Sequence, residues 1–244
     1  MVRISLICKN VVKRFGSLKA LAGVSFSIER PIIKGLIGPN GSGKTVLLNV
    51  ISKVPYGPDE GVILFNGKRI DKAAPQQICR LGIARTFQTI TFFPSLTVEQ
   101  NLLVGANSIG VRREIVNEAL NITDLQDKRY TKAMNLSVFE LKKLMIATAL
   151  ALDPKLLLLD EPLGGLSEDE VNVTLRIIQD INATGRALLV VEHKIRELVD
   201  ICKELFVLHL GRVIADGPPQ KVINSTEVFS AYFGRGKGNV VGGK

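Results

Sequence analysis

Long apolar runs are missing from this chain, and so is any ordered pattern of cysteines. No stretch approaches the roughly 18 consecutive apolar residues that would cross a bilayer. The opening, MVRISLICKN, lacks the extended apolar segment of a secretory signal. The expectation is a protein that is neither secreted nor, by itself, membrane-spanning. Cys8, Cys79 and Cys202 are widely separated, odd in number and without metal-ligand spacing, so they read as reduced, mostly packed thiols in cytosol. No heptad run marks a coiled coil, and no aromatic-interleaved basic motif marks an RNA-binding module. The excess of basic residues, formally +9, is dispersed rather than gathered in a stripe. It suits nucleic acid, an anionic membrane surface or a plain solvated surface, and no nucleic-acid partner is expected from it. What remains is ordinary globular composition, 46% hydrophobic and 23% charged over 244 residues, enough for one large domain or a domain with a lobe.

The run Gly38 to Thr45, GPNGSGKT, satisfies G-x-x-x-x-G-K-[ST] and follows the apolar run Ile32 to Ile37. A buried strand entering a glycine-rich loop is a phosphate cradle, because the loop's N–H groups converge on the phosphates of a nucleotide. Those roles fall to Gly41, Ser42 and Gly43, in a nucleotide-binding loop that also includes Gly38, Pro39 and Asn40, with Lys44 reaching the β/γ oxygens and the Thr45 hydroxyl ligating Mg²⁺. Val46, Leu47, Leu48 and Val50 continue with the spacing of a helix whose N-terminus faces the anion.

A second element points to hydrolysis. Leu156 to Leu159 suit a strand buried on both faces of a parallel sheet, and they run directly into Asp160 and Glu161. Asp160 is placed to hold Mg²⁺, and Glu161 to polarise a water in line with the γ-phosphate. An acidic turn after a core strand is the plainer reading, and the upstream phosphate loop weighs against it.

Strand character recurs at Ile4 to Cys8, Val24 to Ile28 and Gly61 to Phe65, the last entering an Asn66-Gly67 turn, which together suit an antiparallel sheet. Helical spacing from about Thr97 to Leu152 reads as an inserted lobe. Ala187 to Val191 and Leu205 to Leu208 read as buried strands around a helix from about Lys194 to Lys203, implying a mostly parallel sheet. The expected layout is one domain over 1–233, with core segments 1–88 and 153–233, a helical lobe over about 89–152, and a flexible Gly-rich tail at 234–244.

With the phosphate loop, the strand ending Asp160-Glu161-Pro162, and His193 in VVEH, the chain resembles the nucleotide-binding subunit of an ABC transporter over nearly its whole length. The resemblance implies an α/β P-loop NTPase of ABC type: a mostly parallel core sheet, an antiparallel β-subdomain and an inserted helical lobe. It implies ATP and Mg²⁺ as ligands. It also implies that Gln88, in ARTFQ, touches Mg²⁺ or the attacking water, and that His193 hydrogen-bonds the γ-phosphate and that water. Phe15 lies where the family stacks an aromatic on adenine, with plain core packing as the alternative. The phrases VVKRFG, ARTFQ, FFPSLTVEQNL and VFSAYFG look most like ATPases of branched-chain amino acid importers and their relatives for other amino acids, amides or urea. Phe92 and Phe93 fall where the family docks its membrane partner, or they are core of the lobe. The implied partners are transmembrane permease subunits, a second ATPase subunit and, indirectly, a solute-binding protein. The implied place is cytoplasmic and peripheral on the inner face of the cell membrane.

Departures from the family are concentrated in one place. The signature LSGGQ should align with Leu136, Ser137, Val138, Phe139 and Glu140, and only the leucine and serine match. In the family this segment offers its serine hydroxyl and glycine N–H groups to the γ-phosphate of the opposite subunit. A carboxylate about 4 to 6 Å from a phosphate charge costs on the order of 3 to 4 kcal/mol at an effective ε of about 20, and little if it turns away. Ser137-x-x-Glu140 is also a capping box ahead of a helical run. Ser167 stands where an acidic or amide residue is usual in the family's cross-dimer loop, and Val46 follows Thr45 in place of a second hydroxyl residue. The elements acting on the chain's own ATP are complete while those offered to a partner are altered, so a heterodimer is favoured over a homodimer. An exporter of the lipopolysaccharide type and a soluble regulatory ABC ATPase are the alternatives.

Overall fold

A computed structural model describes residues 4–233 of the chain; the expected tail at 234–244 lies outside the described residues. In chain order the first half contains β1 (Leu6–Phe15), β2 (Leu18–Ile28), β3 (Ile33–Ile37), α1 (Lys44–Ser52), β4 (Glu60–Phe65), β5 (Lys68–Arg69), α2 (Pro75–Arg80) and β6 (Ile83–Arg85). Three helices follow, α3 (Val98–Ile109), α4 (Arg113–Ile122) and α5 (Val138–Leu150). Then come β7 (Leu156–Asp160), α6 (Glu168–Ala183), β8 (Ala187–Val191), α7 (Ile195–Ile201), β9 (Glu204–His209), β10 (Arg212–Gly217), α8 (Pro219–Ile223) and α9 (Thr226–Phe233).

The larger sheet has the order β10-β9-β3-β8-β7-β6 and is parallel except for the antiparallel pair β9–β10. Every position of β3, β7 and β8 is buried, which is why these strands read as largely apolar runs, broken by Lys34 in β3, which pairs with Glu204 and Asp216, and ended by Asp160 in β7. Successive residues nonetheless serve different cores. Leu157, Leu159, Leu188 and Val190 join a cluster with α3, α4 and α5. Leu156, Leu158, Leu189 and Val191 join one with α1 and the smaller sheet. That smaller sheet, β2-β1-β4-β5, is antiparallel. The α/β class, with a mainly parallel sheet, an antiparallel sheet and a helical insertion, is the one expected.

Two strands are longer than their sequence suggests. The segment expected as Ile4 to Cys8 is strand from Leu6 to Phe15, and the one expected as Val24 to Ile28 begins at Leu18. Register shifts between Cys8 and Val11, and again between Val11 and Val12, interrupt the in–out alternation on which the expectation rested. The helix expected from Lys194 to Lys203 is shorter, Ile195–Ile201.

The helices between β6 and β7 are fastened to the sheet by more than the shared core. Arg186, just before β8, donates from Nη1 to Glu118 Oε1 of α4 at 2.7 Å and from Nη2 to Asp153 Oδ1 at 2.9 Å. On the other side of β3, close packing requires a glycine. A Cβ on Gly35 would lie 2.6 Å from Leu205 Cδ1 and 2.9 Å from Leu198 Cδ2. Gly35→Ala is therefore expected to destabilise the fold by about 1–3 kcal/mol through overpacking. The check is the midpoint of urea unfolding, with an unchanged slope.

Candidate active site

The loop after β3 wraps its own lysine. Lys44 Nζ donates to the carbonyls of Gly38 at 2.7 Å and Pro39 at 3.1 Å. Gly43 caps α1 at φ 105°, where its Cβ would lie 2.6 Å from Ala20 O, so both conformation and space demand glycine there. The β9–β10 turn braces the loop, Gly211 N–H donating to Ser42 O at 3.0 Å. Above it opens a cleft of about 420 Å³ lined by Asn40 to Val46, by Phe15, Leu18 and Leu210, and by Glu161 and His193. Phe15 is half-exposed in this cleft and packs edge-on against Tyr56 with ring centroids 5.0 Å apart. Burial lowers the Lys44 ammonium below the usual lysine range, and the fields of Glu161 and Asp160 oppose that shift.

Asp160 ends β7 in nearly complete burial. Arg85, from the end of the adjacent β6, donates from Nη2 to Asp160 Oδ2 at 2.9 Å and from Nη1 to Asn49 Oδ1 of α1 at 2.5 Å. Desolvation still raises the Asp160 carboxyl above its ordinary range, against the pull of Arg85. Its other oxygen, Oδ1, and the Ser42 hydroxyl are buried with no hydrogen-bond partner among the described residues. Orphaned buried oxygens are rare and call for a ligand. Oxygen donors of this kind fit Mg²⁺, which commonly takes one or two protein groups plus substrate phosphates and keeps its waters. Accordingly, no group of three or more His, Cys, Asp or Glu side chains is arranged for a metal among the described residues.

The remaining three candidates meet. Gln88 Nε2 donates to Glu161 Oε2 at 3.0 Å, and His193 Nε2 lies 2.9 Å from Glu161 Oε1. Gln88 comes from the loop after β6, Glu161 from the loop after β7 and His193 from the loop after β8, so the parallel sheet gathers all three at its C-terminal edge. Glu161 sits at φ 50°, an uncommon conformation for a glutamate.

The signature segment lies apart from the residues lining this cleft. Ser137 Oγ accepts from Glu140 N–H at 3.2 Å, and Glu140 Oε2 accepts from Ser137 N–H at 2.7 Å, so the capping box is formed. Glu140 also faces Lys128 Nζ at 3.4 Å. Phe139 packs on a small cluster of Leu163, Leu166 and Val171. Ser167 repeats the device, capping α6 with Glu170. The pair Phe92 and Phe93 is split: Phe92 packs against the main core, while Phe93 is 53% exposed. Arg85 was not singled out in the sequence, although it stands three places before Gln88 in ARTFQ; a charge on so short a strand beside the acidic strand was the available signal.

A glycine-rich loop at a helix N-terminus, a buried aspartate on a neighbouring strand and a glutamate facing a histidine define a phosphate-loop nucleotide hydrolase. Residues 21–164 match the family model described as ABC transporter. The chain is 35% identical over 242 residues to the probable branched-chain amino acid transport ATP-binding protein LivG of Archaeoglobus fulgidus, with 93% of this chain and 94% of that one covered. It is 31% identical to the lipopolysaccharide export system ATP-binding protein LptB of Haemophilus influenzae, covering 94% and 97%. Among solved structures it resembles the ADP conformation of an ATP-binding cassette of an ABC transporter, with TM-score 0.85, 31% identity, and 96% and 100% coverage. The chain belongs to the ABC transporter family and is its ATPase subunit. Among the described residues no helix is long and apolar enough to cross a membrane.

Removing Arg85 would leave the Asp160 carboxylate buried and unpaired. Arg85→Met is expected to cost about 3–5 kcal/mol in urea unfolding, and pairing it with Asp160→Asn to recover most of that loss. Additive losses in the double variant would show that the two side chains are not an energetic pair.

Proposed function

We propose that the chain powers import of a branched-chain or other amino acid, as one of two ATPase subunits beneath a pair of transmembrane permease subunits fed by a solute-binding protein. The observation that carries the hydrolytic part is the connected set Gln88–Glu161–His193 at the mouth of the phosphate cradle. The likeness to LivG supports the amino-acid part, and the likeness to LptB keeps export as the alternative. The cassette is residues 1–233, with the lobe at about 89–152, working on the cytoplasmic face of the membrane. The co-purifying membrane subunits decide between import and export.

In this reading Lys44 leaves the carbonyls of Gly38 and Pro39 for the β/γ oxygens, and the loop's N–H groups hold the phosphates. Phe15 offers its exposed ring to the base. Thr45, Gln88 and Asp160 would hold Mg²⁺, which would neutralise phosphate charge. Glu161 takes the proton of the attacking water, Gln88 fixes the carboxylate's direction, and His193, which meets Glu161 in the structure, turns its N–H to the γ-phosphate when ATP enters. ATP closes the dimer, and hydrolysis with product release reopens it.

Lys44→Ala should weaken ATP binding by about 1.5–3 kcal/mol, roughly ten- to a hundredfold in Kd, measured by calorimetry with Mg²⁺ present. Glu161→Gln should keep ATP binding while cutting single-turnover hydrolysis by about 10²- to 10⁴-fold. Undiminished turnover would show that Glu161 is not the base.

The altered signature predicts asymmetry. Ser137 and Glu140 are engaged with each other and Phe139 with its own chain, so this segment is a poor donor set for a second subunit's γ-phosphate. The chain alone should hydrolyse ATP slowly, and an ATPase partner with an intact signature should accelerate it. Phe139→Gly with Glu140→Gln should raise turnover of the chain alone, provided thermal unfolding shows the helix intact, since a weakened cap costs about 0.5–2 kcal/mol. Equal turnover with and without partners, unchanged by the double substitution, would mean the alterations are tolerated.

A further inference from the structure

One carboxylate next to the catalytic set has no part in the scheme above. Glu192, the residue before His193, is 2% exposed. Burial pushes its carboxyl above the ordinary glutamate range, while backbone N–H groups pull the other way. A carboxylate in such surroundings is costly unless its oxygens are hydrogen-bonded. Both are: Leu163 N–H donates to Oε1 at 2.6 Å, and His193 N–H donates to Oε2 at 3.1 Å. Those two donors belong to different loops, one leaving β7 through Glu161 and the other leaving β8 at His193. Glu192 therefore joins the backbones that present the base and the histidine.

The β7 loop is held by a second side chain from another element. Lys142, on α5, donates from Nζ to Gly164 O at 2.5 Å and lies 3.5 Å from Pro162 O. The three residues after Glu161 are thus gripped from opposite chemical sides, an N–H by a carboxylate and two carbonyls by an ammonium. Glu161 itself needs such support. A non-glycine residue at φ 50° costs of order 1 kcal/mol or more and persists where its surroundings over-determine it. Its own N–H donates to Val191 O at 2.9 Å, and its carbonyl accepts from Gly164 N–H at 3.3 Å. Glu192 and Lys142 fix the other end of the same short turn.

We propose that Glu192 and Lys142 are positioning residues for ATP hydrolysis, clamping Pro162 to Gly164 so that Glu161 is held against His193 in register with helix α5. The inference rests on Glu161 as base and His193 as its partner, and it adds the groups that present them. Because Lys142 sits on the helix that Ser137 begins, a displacement of that helix reaches the base through two hydrogen-bonded carbonyls.

The test uses the full chain carrying Glu192→Ala, Glu192→Gln or Lys142→Met, with ATP affinity read by calorimetry and hydrolysis by single turnover with the protein in excess of ATP and above its Kd. Glu192→Ala and Lys142→Met should each slow hydrolysis by roughly ten- to a hundredfold and leave the Kd within about threefold, since neither side chain touches the phosphate loop. Glu192→Gln should recover part of the rate, its amide oxygen accepting one N–H while its NH₂ opposes the other. The double variant Glu192→Ala with Lys142→Met should fall short of the product of the single effects, because both act on one turn. An unchanged rate in a folded variant, or parallel loss of affinity and rate, overturns the clamp. Should Glu192→Ala fail to fold, Glu192→Gln and Lys142→Met carry the same two readouts. Glu161→Gln run alongside separates the failures: turnover in that variant removes the base, whereas its inactivity beside a fully active Glu192→Ala removes only the clamp.

Discussion

A carboxylate at the dry end of a central strand must be balanced, and the way Asp160 is balanced organises the site around it. Arg85 takes one oxygen and leaves Oδ1 without a partner among the described residues. Had both oxygens been satisfied internally, Asp160 would be a structural ion pair with nothing to offer a ligand. Arg85 is itself placed by the β6–β7 pairing, and its other arm reaches Asn49 on α1, the helix that begins with Lys44. The phosphate loop, the acidic strand and the loop carrying Gln88 are thereby tied through one guanidinium. Its fixed fork suits a three-way contact that a lysine could not make in the same geometry.

The parts of the candidate site that follow a strand were the most legible: the phosphate loop, Asp160 and Glu161 stand out from the residues themselves, since a strand followed by GPNGSGKT, or by an acidic pair, has few other uses, whereas His193 is marked only by the family resemblance. What the sequence concealed is of two kinds. The C-terminal part of β1 was hidden by bulges that break the period, and β10 by its place at a half-exposed edge. Arg85, Glu192 and Lys142 were hidden because their importance lies in which backbone or carboxylate they face. No spacing rule connects Lys142 with Gly164, or Glu192 with Leu163. Helix α6 is better marked, since Ser167 to Glu170 is a second capping box followed by apolar spacing, although in the sequence Ser167 stands out as a family departure before it stands out as a helix start.

The two segments in which the sequence departs from the family it resembles share one local solution. Ser137 and Ser167 each precede a glutamate by three residues, each accepts that glutamate's N–H, and each donates its own N–H to the carboxylate. Both sites therefore satisfy orphan helix-end donors within the chain. The two segments also meet, because Phe139 packs on Leu163, Leu166 and Val171 from the turn and helix that Ser167 separates. The surface that the proposed function turns toward a partner is held together by its own apolar contacts.

That packing decides how the charge on Glu140 should be weighed. A carboxylate pointed at a partner's phosphates would oppose dimer closure by several kcal/mol, but this one accepts Ser137 N–H and faces Lys128, both of which lower its pKa, and it stands at a helix N-terminus, so its charge is spent locally. Repulsion is then the smaller part of the defect. The larger part is the absence of donors: Phe139 occupies the position where a glycine would bring backbone N–H groups close, and its ring is anchored away in the cluster with Leu163. A partner's γ-phosphate meeting this surface would be neither strongly repelled nor well held. Under the proposed function, such a surface would let two cassettes close on ATP while favouring hydrolysis at the site that a better signature completes.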